Sequence, residues 1–540
     1  MMRLATLTLL VGCALSLPAQ SGSIDGVVLS AGGAPLDRAE VTLSTAGQEQ
    51  SSIATEVTAQ NGAFRFVNLA PGKYRLDASR RGYLQSAYQE HEGGYFTGVV
   101  VGAGADSHGL QFRLLPEAVI GGTVTDDSGE PVEGAQVTLY REDRSGPATK
   151  VQQAGTQTTD DTGEYEFARR RPGIYFVGVS ATPWYAVHPE SKSDDQGNPL
   201  PVDQQPRAAL DVAYPMTFYA NATESDAATP IALQAGDHQQ INVSLHAVPA
   251  VHIQMHFLGT PGSRRGFNMP QITHDVFGSE QPLPLSGFTL LEGHSGPVTA
   301  ELGGLPPGHY GIERFDSEGD ERSHGTIDIT SDQAIDLPPA ASTVSITGKV
   351  AMLAGGTLPA RMILTLQQDG RPGGPTTSVG TDGMFSFPAV APGTYTVTPA
   401  MPDVAVVQMA ASGAETNGNN ITVSDSPVLL AATLVNGTAT VTGFARRSGK
   451  GEGGTLVLLV PAGAKPNQDL FRMDQSDSDG SFTLYRVFPG NYTLVSIDGG
   501  WSLDWARPEV IAPYLARGLK VQITNQRTLN LSQTVEVQPR

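Results

Sequence analysis

The chain has 540 residues, of which 62 are Gly and 38 Pro, with 39% hydrophobic, 16% charged and a formal net charge of −20. That charge leaves no basic face for phosphate backbones, which excludes a nucleic-acid binder. The hydrophobic share is enough for packed cores, which excludes global disorder, and so much Gly and Pro favours many short strands over long helices.

The N-terminus reads as an export signal over residues 1–19. Met1, Met2 and Arg3 give a positive start, residues 4–17 are apolar, and Leu17-Pro18-Ala19 offers a peptidase site with cleavage expected after Ala19. The apolar run is too short for a good membrane span, and no later segment is long and apolar enough. The mature chain is therefore expected to carry no transmembrane segment and to be secreted or periplasmic. Leu10-Val11-Gly12-Cys13 also fits a bacterial lipobox, so lipidation at Cys13, giving an outer-membrane lipoprotein, is the alternative. Against it, the apolar run continues past Cys13 to Leu17. Cys13 is the only cysteine, so cleavage after Ala19 leaves no disulfide, thiol nucleophile or thiolate metal site.

Beyond the signal the chain repeats itself. Pro71-Gly72-Lys73-Tyr74 recurs as Pro172-Gly173-Ile174-Tyr175, Pro307-Gly308-His309-Tyr310, Pro392-Gly393-Thr394-Tyr395 and Pro489-Gly490-Asn491-Tyr492. The spacing is that of a small domain. Ahead of most copies stands a turn dipeptide and a half-buried strand: Asn61-Gly62 before Phe64-Arg65-Phe66, Thr162-Gly163 before Tyr165-Glu166-Phe167, Asp382-Gly383 before Phe385-Ser386-Phe387, and Asp479-Gly480 before Phe482-Thr483-Leu484. Pro-Gly at the centre of a turn predicts type II geometry, with Gly at positive φ and the Tyr on the core face. Openings such as Gly26-Val27-Val28, Gly122-Thr123-Val124, Gly348-Lys349-Val350 and Gly443-Phe444-Ala445 complete units of six or seven strands. That is enough for two packed antiparallel sheets.

Five units follow in chain order: 22–116, 117–248 with a loop insertion at 184–228, a degenerate third at 249–341, 342–436 and 437–540. A closing strand is expected at 241–245 in the second. A short helix is expected at 508–517, with Pro508 at its first position, Glu509 at its positive end and Gly518 as its stop.

The shared pattern is G-x-V, then G-x-P-L and A-x-V-x-L, then G-x-F-x-F and L-x-P-G-x-Y. It resembles the carboxypeptidase regulatory-like domain, close to transthyretin-like and Cna B-type sandwiches. The first two units match best, the fourth well, the fifth less, and the third mainly at Leu305-Pro306-Pro307-Gly308-His309-Tyr310. The resemblance implies an all-β fold: a tandem array of about five prealbumin-like Greek-key β-sandwiches, immunoglobulin-like in layering, in a secreted bacterial protein without a catalytic centre. Arg169-Arg170-Arg171, where the first unit has Asn68-Leu69-Ala70, departs from the pattern and makes that turn more basic.

Candidate chemistry is sparse. No His-x-x-Glu or His-Glu-x-x-His supports a zinc peptidase, Gly-x-Ser-x-Gly does not occur, and no Gly-x-Gly-x-x-Gly cofactor loop opens a helix. His246, His252 and His256 read as partly exposed strand histidines with no carboxylate at ligand spacing. Asp474, Asp477 and Asp479 form a weak calcium-loop pattern better read as an Asx-turn. Lys349 reads as a solvated strand Lys rather than an isopeptide donor. No catalytic, cofactor or metal residue is expected.

Six aromatics lie outside the core alternation: Trp184, Tyr185, Tyr214, Tyr219, Trp501 and Trp505. They could stack on sugar rings, and sandwiches of this type are grouped with carbohydrate-binding folds, or they could cap sandwich ends. The sequence thus predicts a non-enzymatic binding or scaffold protein of the cell surface. The alternatives are a carbohydrate-binding protein and a periplasmic accessory subunit of an outer-membrane receptor. The expected partner is polysaccharide or another cell-envelope protein.

Overall fold

The computed structural model describes residues 21–540, apart from 48–50, 103–105, 145–148, 190–191, 193, 195–199, 206, 258–270, 284–286, 292–297, 316–321, 337–342, 369–373 and 464–466. The signal peptide and Cys13 lie outside the described residues. The chain forms two compact units. The first comprises residues up to Leu115 with Glu452–Gly454 and Ser476–Gly480, and the second comprises the remainder. The fold is all-β, with one α-helix among the described residues, Pro508–Leu515, carrying Pro at its start.

Alternating apolar residues build a pair of sheets around each core. In the first unit, Gly22–Ser30 lies between Ala63–Leu69 and Ser107–Leu114, facing a sheet of Ser52–Val57, Glu40–Thr45 and Gly72–Ser79. Ile24, Val28, Leu43, Phe66, Tyr74 and Phe112 fill the space between. The second unit holds four such cores, centred on Ile120 and Tyr175, Ile253 and Tyr310, Ile346 and Tyr395, and Val441 and Tyr492.

The sheets are not purely antiparallel, which corrects the expectation. Each opening strand pairs parallel with a closing strand: Gly22–Ser30 with Ser107–Leu114, Ala118–Thr125 with His238–Gln240, Val251–Phe257 with Gln333–Asp336, Val344–Met352 with Val428–Asn436, and Ala439–Arg447 with Thr528–Asn530. Parallel first and last strands put the chain's entry and exit at opposite ends of a sandwich. The second sandwich's closing strand, expected at 241–245, is split into His238–Gln240 and Val243–Ser244. Within the insertion, Thr217–Phe218 joins the sheet of Gly173–Ser180, and Val212–Ala213 pairs with Val248–Pro249.

The repeated turn has one chemical purpose. In all five copies the Tyr hydroxyl donates to the carbonyl four residues earlier: Tyr74 to Ala70 at 2.6 Å, Tyr175 to Arg171 at 2.7 Å, Tyr310 to Pro306 at 2.6 Å, Tyr395 to Ala391 at 2.8 Å and Tyr492 to Phe488 at 2.9 Å. The bond satisfies both a buried phenol and a turn carbonyl. Burial pushes Tyr492 up to about 12, so it remains a donor at neutral pH.

The expected type II turn is not formed. Gly72, Gly308 and Gly490 are not among the positive-φ glycines, Gly173 (φ 159) and Gly393 (φ 152) are far from the value of about +80° that a type II turn needs, and each begins a strand. At two of these the Gly leaves room for the Tyr: a Cβ on Gly308 would sit 3.2 Å from the Tyr310 hydroxyl, and one on Gly490 3.3 Å from the Tyr492 ring, whereas one on Gly72 would meet nothing closer than 3.9 Å. The left-handed residue stands three places before the Pro, at Asn68 (φ 60), Arg169 (φ 59), Gly304 (φ 75) and Arg486 (φ 54).

A second device joins opening strand to turn strand. Gly26 pairs with Phe64, Gly122 with Tyr165, Gly348 with Phe385 and Gly443 with Phe482. A Cβ on Gly348 would lie 2.0 Å from the Leu430 carbonyl oxygen and 2.7 Å from the Phe385 ring. The missing side chain therefore admits both the parallel partner strand and the aromatic ring.

Candidate functional site

The aromatics picked out by sequence take different places. Trp184 is 86% exposed and meets Tyr185 edge-to-face at 5.7 Å between ring centroids. Tyr214 is buried in the second core, hydrogen-bonds Tyr185, and is raised above the ordinary phenol range chiefly by that burial. Tyr219 packs half-buried on the same core. Trp505 is buried and Trp501 half-buried under the helix Pro508–Leu515, in a cluster with Leu456, Val495 and Ile511. These two tryptophans seat the helix on the fifth sandwich, and Phe471 lies 6.0 Å from Trp505.

The remaining candidates are structural. Lys349 is exposed. Asp474 accepts the Thr483 amide at 2.7 Å. Asp477, within the first compact unit, is only 2% exposed; it pairs with Lys73 at 2.7 Å and accepts the Gly98 amide at 3.1 Å. Among the described residues no group of three His, Cys, Asp or Glu is arranged to hold a metal ion.

His252 corrects the reading of partly exposed strand histidines. It is 9% exposed, and carboxylates surround it. Its Nε2 lies 2.7 Å from Asp211 Oδ2 and its Nδ1 3.5 Å from Glu301 Oε1. Its amide donates to Asp332 Oδ1 at 3.0 Å. Asp211 also meets His188 Nδ1 at 2.9 Å, and Gln254 donates to Glu301 at 3.1 Å. The Glu301 contact, with Asp211 adding to it, raises His252 to about 9 against the opposing effect of burial. His246 sits apart, exposed and paired with Asp127, and the His256 side chain is outside the described ones.

Sequence spacing could not reveal this cluster, because Asp211 and Glu301 lie far from His252 along the chain. One signal was present. A Cβ on Gly303 would lie 2.6 Å from the His252 ring, and one on Gly304 2.9 Å from His188 Nε2. The Gly303-Gly304 pair is shaped around two imidazoles.

Two joints in the second unit are built on apolar contacts. Phe277 of the third sandwich packs on Tyr140, Phe176 and Phe218 of the second, with ring centroids 5.3, 4.8 and 5.7 Å away. Between the fourth and fifth, Val435, Leu470 and Phe488 cluster, and Asn467 donates to the Val406 carbonyl at 2.8 Å.

The family model of the carboxypeptidase regulatory-like domain matches residues 23–114 and 119–203. No curated protein matches the chain. Solved structures with which it aligns include the TIE protein of Bacillus anthracis, 11% identical over 73% of this chain and 68% of that one, with a TM-score of 0.15. A minor pilin of Streptococcus agalactiae is 13% identical over 43% and 97%, with a TM-score of 0.21. A shaft pilin of Lactobacillus rhamnosus GG is 10% identical over 42% and 98%, with a TM-score of 0.18.

Proposed function

We propose that the chain is a non-catalytic scaffold of the bacterial cell surface or periplasm, whose five sandwiches transmit tension between an anchored end and a bound partner. One observation carries this reading: the parallel pairing of first and last strands in every sandwich. Tension applied through entry and exit then shears the ladder, loading its hydrogen bonds together instead of peeling them one by one. The apolar joints around Phe277 and Leu470 favour stiffness between neighbours. The carboxypeptidase regulatory-like matches support a modular, non-enzymatic role. The partner is another cell-envelope protein or a polysaccharide, and export follows from the N-terminal signal.

Single-molecule pulling from the two ends of the mature chain tests the proposal. Five separate unfolding events are expected, each releasing about 30–45 nm at the extended length of a residue. A featureless low-force extension, or hydrolysis of peptide or ester substrates by the purified protein, would contradict it.

The exposure of Trp184 favours one further reading, in which the second sandwich's insertion stacks on sugar rings. Polysaccharide pull-down that is lost on Trp184→Ala would support it, and equal retention of the wild type and the variant would discard it.

A further inference from the structure

The opening strand of the third sandwich, Val251–Phe257, is buried on both faces where described. Val251, Ile253 and Met255 point into the core, while His252 and Gln254 are buried on the other face. That outer face is covered by residues of the second sandwich's insertion. Asp211 holds His252, the Leu200 carbonyl accepts from Gln254 at 2.9 Å, and Arg207 reaches Asp332 at 2.5 Å. The backbone follows: the Ala250 amide donates to the Asp211 carbonyl at 2.9 Å, and Val212–Ala213 pairs with Val248–Pro249.

Charge decides what holds this contact. Facing His252 are Asp211 from the insertion, Glu301 from the neighbouring strand Val298–Leu305, and Asp332 just before the parallel strand Gln333–Asp336. His188 shares Asp211, and Arg207 offsets Asp332. A neutral imidazole has one N–H, so it can donate to Asp211 or to Glu301 but not to both. An imidazolium donates to both. Losing the proton would leave one of the two buried carboxylates with one donor fewer, although Gln254 stays on Glu301 and His188 stays beside Asp211.

We propose that residues 207–213 form a proton-held strap: they lie on the third sandwich while His252 is an imidazolium between Asp211 and Glu301, and they lift when His252 gives up its proton. This sets how firmly the second and third sandwiches are joined, and it does not depend on what the array binds.

Tryptic cleavage after Arg207 in the full mature chain reads the strap directly. The rate is divided by that of cleavage after the exposed Arg527, which removes the protease's own pH dependence. Between pH 7 and pH 10 this ratio is expected to rise about 10-fold or more in the wild type, as His252 deprotonates. His252→Gln should show the high ratio at both pH values. A flat wild-type ratio, or a pH rise that persists in His252→Gln, would overturn the proposal. If that variant does not fold, histidine NMR of the intact protein decides. An imidazole titrating above pH 8 in the wild type and missing in Asp211→Asn supports the strap, and none titrating above pH 8 refutes it.

Discussion

The third and fourth sandwiches open on equivalent strands that treat their outer faces oppositely. Val344–Met352 of the fourth alternates cleanly, with Val344, Ile346, Gly348, Val350 and Met352 inside and Thr347, Lys349 and Ala351 exposed. In the third, Val251 and Ile253 take the registers of Val344 and Ile346, since each pair flanks the same bulge. Met255 then stands where the fourth has Gly348, and it pairs with Ala300 where Gly348 pairs with Phe385. The large and small partners have exchanged strands. The outer face has changed as well, from solvated residues to a buried His and Gln under the insertion. The comparison shows which part of the pattern is indispensable: the Tyr hydroxyl clamp is kept in both, whereas the glycine–aromatic pair can be inverted and the alternation lost.

The largest expected effect comes from forcing the wrong size into this pair. Gly348→Leu should cost at least about 3 kcal/mol in the fourth sandwich, because its side chain would collide with the Leu430 carbonyl and Phe385. Met255→Gly should cost about 3 kcal/mol in the third through a cavity, and adding Ala300→Phe should recover much of it. Urea unfolding of each variant checks both, and equal losses for single and double variants would break the equivalence.

Next comes the covered face. Glu301 is 3% exposed, so Glu301→Ala should cost about 3 kcal/mol by leaving His252 without one partner. Lys349→Ala on the exposed counterpart face should stay within about 0.5 kcal/mol. The pH dependence has a definite sign. His252 is raised to about 9 in the folded protein against an ordinary value of 6.5, so folding favours its protonated form. The stabilisation is complete below about pH 6.5 and is lost as pH rises through about 9, amounting to on the order of 3 kcal/mol. Thermal melts from pH 6 to 10 should show this loss for the third sandwich and its absence in His252→Gln.

Smallest, and the same in both, is the clamp. Tyr310→Phe and Tyr395→Phe should each cost about 1 kcal/mol, because each leaves one turn carbonyl without its donor. A loss confined to one of them would show that the repeated Tyr serves different ends.

Much of the architecture was legible in the sequence because it is local. The Pro-Gly-x-Tyr turn, the alternating Phe pairs and the short helix opened by Pro508 are each written within a few residues. The turn's conformation was not, since Tyr310 folding back over Gly308 is a packing fact that leaves no mark on turn propensity. Nor was the parallel closing strand, because pairing between Val344–Met352 and Val428–Asn436 is set by topology across the whole sandwich. The third sandwich matched the repeat mainly at residues 305–310, and its opening strand alternates in sequence, so nothing local showed that His252 and Gln254 fill a buried face. Trp501 and Trp505 stood out as aromatics beyond the core alternation, but the surface that buries them includes Leu456 from a strand more than forty residues earlier.

The shear geometry can be tested inside one sandwich of the intact protein. Cysteine handles at Thr343 and Asn436 pull the parallel pair lengthwise, whereas handles at Leu353 and Asn436 pull it apart from one end. Unfolding of the fourth sandwich is expected to require several-fold more force from the first pair than from the second. Equal forces would contradict a tension-transmitting scaffold.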